Sequence, residues 1–293
     1  MALADESRSL RGRKVAMSKR AEKLVNQFRE EVEEWCADPG TMSLCEEARD
    51  GLRTFTRSND RVQARGASVD LEILANFHMT NGVRGVLNGD ESGWEVIDLG
   101  YQLHFAGVRL LEAPPMELVA CLLAHSISAG REGNAALLGA LLTNLYAQDS
   151  STPHPVAGLY PFVRLARALW AMQGNEAGPD PDLGPYDAVL GAVLTGTAEK
   201  ALAALQAVAD QHLVQAQDLG DNEPEFVSGY ELLPVDVFWL LRARREAGLP
   251  NPVSIQHPLL DLATGSPPAS VWPEATPTAL LHEVLTHAAT FSE

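Results

Sequence analysis

The chain has 293 residues, 46% of them hydrophobic, enough for one large domain or two small ones with a substantial core. Its 39 acidic residues against 22 basic ones leave a formal charge of -17, which argues against a general nucleic-acid binder and suits a cationic partner. Cys36, Cys45 and Cys121 are odd in number and never at CxxC spacing, so neither a disulfide framework nor a cysteine zinc site is written here.

Residues 1–17 read as a flexible basic leader without the apolar stretch of a secretory signal. From Ser18, Leu24, Phe28, Val32 and Trp35 recur at spacings of four, four and three, the apolar stripe of a helix that Pro39-Gly40 stops. "MSLCEEARDGLRTFTRSNDRV" predicts a second helix. "SVDLEILANFHMTNGVRGVL" predicts a third, weakened by Asn81-Gly82. "GWEVIDLGYQLHFAGVRLLEA" predicts a fourth, with strand as the alternative over parts of 94–111.

"PPMELVACLLAHSISAG" is apolar almost all round, the mark of a central helix. "REGN" turns the chain into "AALLGALLTNLYAQ", and "GLYPFVRLARALWAM" follows a loop. After the Pro/Gly-rich "QGNEAGPDPDLGP" come "YDAVLGAVLTG" and the alanine-rich "TAEKALAALQAVADQHLVQAQ". The segments 115–147 and 185–217 share a layout of helix, polar turn and alanine-rich helix. Small residues such as Ala135, Gly139, Ala201 and Ala204 let such helices approach closely. The expected fold is all-α: stacked helix pairs, an α-solenoid or tetratricopeptide-like array. Residues 18–262 form a single helical domain, and 263–293 a Pro-rich linker with a C-terminal helix. No run of about 18 apolar residues occurs, so no membrane span is expected and the cytoplasm is the default compartment.

Catalytic motifs are missing. "HEVLTH" spaces His282 and His287 five apart, about 140° around a helix, so they do not share a zinc ion as an i, i+4 pair does. His78, His104 and His125 sit in apolar helices, where a histidine usually serves as a buried hydrogen bonder. There is no GxSxG, P-loop or dinucleotide fingerprint, and "SAGREGNAALLG" joins two helices without a strand before it. No catalytic residue, metal site or cofactor is expected.

Charge distribution says more. Glu30, Glu31, Glu33 and Glu34 share the polar side of the first helix. From Ala201 onward the chain holds twelve acidic and three basic residues; the three are Arg242, Arg244 and Arg245. The triplet should cap the end of its own helix or reach solvent, while Leu232, Val235, Phe238, Trp239 and Leu241 pack inward. Asp218, Asp221, Glu223 and Glu225 crowd one loop with no helix dipole to serve. These two acidic groups are the candidate contacts for a cation-rich partner.

"LLPVDVFWLLRARREAGLPNPVSIQHPLL" runs an apolar helix into "AGLP" and then "HPLL". Over residues 115–262 this layout resembles bacterial immunity proteins of the Imm49 type, which close with a helix, an Ala-Gly-Phe/Leu-Pro turn and a Pro-x-Leu-Leu-like segment. The chain departs from that pattern by its tail beyond Leu262, and its first hundred residues match only in helical character. The resemblance implies a cytoplasmic, non-enzymatic protein that occludes a cognate toxin domain: a nuclease, deaminase or ADP-ribosyltransferase. A helical-repeat scaffold unrelated to toxins is the alternative reading, and an enzyme using buried histidines a third.

Overall fold

The computed structural model describes residues 2–57, 60–152, 159–175, 183–218, 224–226, 229–267 and 272–290, with side chains from residue 19 onward apart from that of Asn175. Every regular element among them is helical; there is no strand. Eleven α-helices follow one another: α1 (Ala2–Ala37), α2 (Pro39–Phe55), α3 (Arg61–Leu87), α4 (Gly93–Arg109), α5 (Met116–Ala129) and α6 (Glu132–Ser150). They continue as α7 (Pro161–Trp170), α8 (Asp187–Thr195), α9 (Ala198–Gln215), α10 (Val235–Glu246) and α11 (Ala279–Ala289). Neighbours in sequence pack as pairs, notably α3 with α4, α5 with α6 and α8 with α9. This is the all-α architecture of helix pairs that periodicity predicts.

Local chemistry sets the breaks. Asp38 caps α2 by accepting the Gly40 N–H at 3.0 Å, and Pro39 takes the first helical turn, where its missing N–H costs nothing. Asp60 caps α3 by accepting the Val62 N–H at 2.9 Å. Gly130, at φ 80°, ends α5 in the left-handed region that favours glycine. Helical geometry runs from Ala2 through Ser18, so residues 2–17, expected as a flexible leader, continue α1. The preceding residues are largely Leu, Arg, Lys, Ala and Met, all strong helix formers.

Asn81-Gly82 does not break α3, and 93–109 is helix throughout. The two helices press their glycines together. A Cβ on Gly82 would lie 2.5 Å from the Ile97 nitrogen, one on Gly93 2.6 Å from the Gly82 oxygen, and one on Gly100 2.6 Å from Met79 Cγ. Gly93, Gly100 and Gly107 fall seven apart, so one face of α4 stays bare along its length.

Two apolar cores result. The larger surrounds α5, whose buried positions run without a gap from Val119 to Ala129, and draws on α1, α3, α4, α6–α10 and Trp272. The smaller joins α2, α3 and α4 to α11 through residues such as Leu52, Phe55, Leu71, Leu74, Leu103, Leu281 and Val284. The C-terminal helix therefore docks on the body of the protein. No helix among the described residues is long and apolar enough to cross a membrane.

Candidate partner-binding surface

Helix α1 turns Leu24, Val25, Phe28 and Val32 into the larger core and leaves Glu30, Glu31, Glu33 and Glu34 exposed. The four carboxylates form a ridge because the stripe at spacings of four and three claims the opposite side of the helix. Glu33 receives the Arg84 Nε at 2.7 Å, and Glu31 receives the Gln27 amide at 2.9 Å. Glu30 and Glu34 have no ion pair or hydrogen-bonding side chain among the described residues.

Concave surface flanks the ridge on both sides. One cleft, about 500 Å³, lies between α1 and the end of α3 and is lined by Asn26, Arg29, Glu30, Glu33, Glu34 and Asn88. Another, about 210 Å³, includes Glu31, Trp35, Asn76, Thr80 and Glu231. Trp35 is half-buried, 6.1 Å from the Phe77 ring centroid. A partly exposed tryptophan beside unpaired charge has the composition of an interface anchor with a charged rim.

Of the four acids expected to form a contact loop, only Asp218 and Glu225 lie among the described residues, and they part company. Asp218 is exposed at the end of α9, and Asp221 and Glu223 lie outside the described residues. Glu225 is 3% exposed and cannot meet a partner. Its Oε2 accepts the N–H groups of Phe162 at 2.8 Å and Val163 at 3.2 Å, two of the free donors opening α7. Burial pushes its carboxyl up to about 8, against the lowering effect of those two donors. The Glu225 carbonyl accepts from Cys121 Sγ at 3.3 Å, and its N–H reaches the Gln215 carbonyl at 2.9 Å. Glu225 thus stitches α5, α7 and α9 together.

The arginine triplet also divides. Arg245 is exposed, but Arg244 is fully buried and donates to the carbonyls of Val193, Gly196 and Pro250. Arg242 donates to the Ile127 carbonyl and to Glu246. Arg242 and Arg244 therefore serve carbonyls near the ends of α5 and α8, reaching other helices as well as their own. Leu232, Val235, Phe238 and Trp239 are buried as expected, and Leu241 is half-buried.

The histidines are spread through the fold. His212 stands with Nδ1 2.9 Å from Asp236 Oδ1 and Nε2 2.9 Å from the Tyr230 carbonyl, while its ring stacks on Phe226 at 3.8 Å. Both His212 and Asp236 are fully buried, and neither lines any of the clefts described here. His125 Nδ1 meets the Tyr230 hydroxyl at 3.1 Å, and its ring stacks on Tyr101 at 4.4 Å. Burial holds His125 well below the usual imidazole range and lowers His104 to about 4. His78 is lowered to about 4 as well, by partial burial and by Arg49. At the C-terminus His287 packs edge-on against Phe55 at 4.8 Å, while His282 is exposed.

A second buried cluster ties the tail to the body. Asp98 is fully buried, pairs with Arg131, and accepts the Gln102 amide and the Ala275 N–H, each at 2.8 Å. Trp272 meets Trp94 edge-on at 5.0 Å. Sequence reasoning did not single out Asp98, Asp236 or His212; their partners lie far along the chain, and no local pattern marks them. No protein-family model matches the chain, and no curated protein or solved structure is detectably similar to it.

Proposed function

We propose that this protein works by binding, with the acidic ridge of α1 docking onto a cationic protein partner. The observation that carries the reading is the pair Glu30 and Glu34, exposed, without a side-chain partner and lining one cleft of α1, with half-buried Trp35 lining another. Carboxylates at such a rim accelerate encounter with a basic surface, while a buried aromatic supplies affinity at the centre. The resemblance of residues 115–262 to Imm49-type immunity proteins supports a bacterial toxin domain as the partner. Its basic catalytic cleft, shaped for a nucleic acid or nucleotide substrate, would be occluded in the cytoplasm by the ridge and Trp35.

The test is a search of the adjacent open reading frames for a toxin domain, followed by co-expression of the chain with it. Wild-type protein should rescue growth and co-purify with that domain. The variant Glu30→Lys/Glu34→Lys/Trp35→Ala should do neither while remaining folded. A fully protective triple variant would remove α1 as the docking surface. Failure of the wild type both to bind and to protect would remove the toxin reading itself.

A further inference from the structure

A different face carries the opposite charge. At the antiparallel junction of α3 and α4, a cleft of about 450 Å³ is lined by Arg61, Arg65 and Arg109, with Ala64, Leu110 and Leu111 among its apolar lining. Three arginines line that cleft in a chain whose net charge is -17. None of the three has an ion-pair partner among the described residues, whereas Arg49, Arg53, Arg84, Arg131 and Arg242 all hold carboxylates. Glu112 is the one acid among the cleft's lining residues, and it too forms no ion pair there.

The placement runs against ordinary helix electrostatics. Arg61 and Arg65 stand in the opening turns of α3, where the helix presents its positive end and cations are disfavoured. The first turn of α3 holds no acidic residue, and the capping carboxylate of Asp60 is engaged with the Val62 N–H. Arg109 comes from the last turn of α4, with its guanidinium 5.5 Å from the Phe105 ring centroid. Such stacking orients a guanidinium while leaving its N–H edges free. Because the start of α3 and the end of α4 oppose their dipoles there, the three arginines without ion-pair partners and the concave wall are what make the site anion-seeking.

We propose that this cleft binds a small phosphorylated ligand, its phosphate held by Arg61, Arg65 and Arg109 and its organic part resting on Ala64, Leu110 and Leu111. Guanidinium forks match phosphate oxygens two at a time, and the volume lies within the range of small-molecule sites. The surrounding negative charge of the chain repels an extended polyanion, so the site selects a compact one. This inference goes beyond the α1 reading and is independent of it.

Calorimetric titration tests it, using inorganic pyrophosphate, a nucleoside diphosphate, citrate and a single-stranded oligonucleotide as probes. Pyrophosphate and the nucleoside diphosphate should each bind saturably, one per chain, the nucleoside diphosphate more tightly. Arg65→Gln, at an exposed position, should melt like wild type yet bind both about tenfold more weakly or worse. Arg65→Lys should fall between, because it keeps the charge and loses the fork. Lack of saturable binding to the wild type, an R65Q titration superimposable on it, or preference for citrate or the oligonucleotide would each overturn the proposal. Glu30→Lys/Glu34→Lys should leave these titrations unchanged, so failure here is separable from failure of the α1 reading.

Discussion

The two cores are stabilised in different ways. The smaller, beneath α11, is built of leucines, alanines, Cys45 and Phe55, and Asp70, close against Gly51, is only half-buried. The larger has Asp98, His125, His212, Glu225, Asp236 and Arg244 buried in or beside it, several of them bonded to residues more than a hundred positions away. An apolar core tolerates change in proportion to volume. A core threaded with polar groups has an asymmetric response, since removing one partner strands the other without water. The larger core should therefore fail abruptly and the smaller one gradually.

The sharpest way to break that contrast is Asp98→Ala. It strands Arg131 and the Ala275 N–H at once and leaves the Gln102 amide only the Ala275 carbonyl. Loss of about 3–5 kcal/mol is expected by urea unfolding, with the Trp272 environment changing in tryptophan fluorescence. In the smaller core, Leu52→Ala should cost about 3 kcal/mol, a cavity with no orphaned polar group. Equal losses across several polar and apolar pairs would erase the distinction.

Gly100→Ala sits at the α3–α4 seam that both cores share. The added Cβ falls 2.6 Å from Met79 Cγ and 2.7 Å from the Met79 nitrogen. The helices must part, at about 1–3 kcal/mol by thermal or urea unfolding.

Dependence on pH should come from His78 beside the smaller core as well as from His104, His125 and Glu225. The three histidines are held below the usual imidazole value, so between pH 4 and 6.5 the unfolded chain binds protons that the folded one does not. Stability rises with pH through that window. Glu225, raised from 4.5 to about 8, has the opposite sign: the folded state keeps a proton that the unfolded state has released, so stability falls as pH rises from 4.5 toward 8. The balance is a maximum near pH 6.5, with each proton worth about 1.4 kcal/mol per pH unit. Glu225→Gln should flatten the alkaline limb and leave the acid limb, as read from urea midpoints across pH. An unaltered alkaline limb would show that Glu225 does not carry it.

This division explains what could be read from the sequence. Helices follow from periodicity, and α5 announces its central place by being apolar on every side. Asp38-Pro39 marks a real break because capping is local chemistry. Glu225 reads as an exposed loop contact because its partners, the Phe162 and Val163 N–H groups, lie more than sixty residues away. Arg244 similarly resembles any arginine in a last helical turn, until the carbonyls of Val193 and Gly196 close around it. Gly82 reads as a helix breaker by composition, yet α4 packs against it so tightly at Ile97 and Gly93 that a Cβ has no room. Its role was legible only in the seven-residue repeat of Gly93, Gly100 and Gly107, a spacing that also fits no strand.

The smallest effect on stability should come from the ridge. Glu30→Lys/Glu34→Lys changes two exposed, unpaired carboxylates and should shift unfolding by no more than about 0.5 kcal/mol per site. Its effect on association is the most direct test of the account. The association rate with the cationic partner proposed above is measured for wild type and this variant across ionic strength. The wild-type rate should be high at low salt and fall as salt rises, because the ridge steers a basic partner over a range of about 8–10 Å. The variant should associate more slowly at low salt and with a flatter salt dependence, converging with wild type at high salt. Identical rates and identical salt dependence would contradict docking through α1.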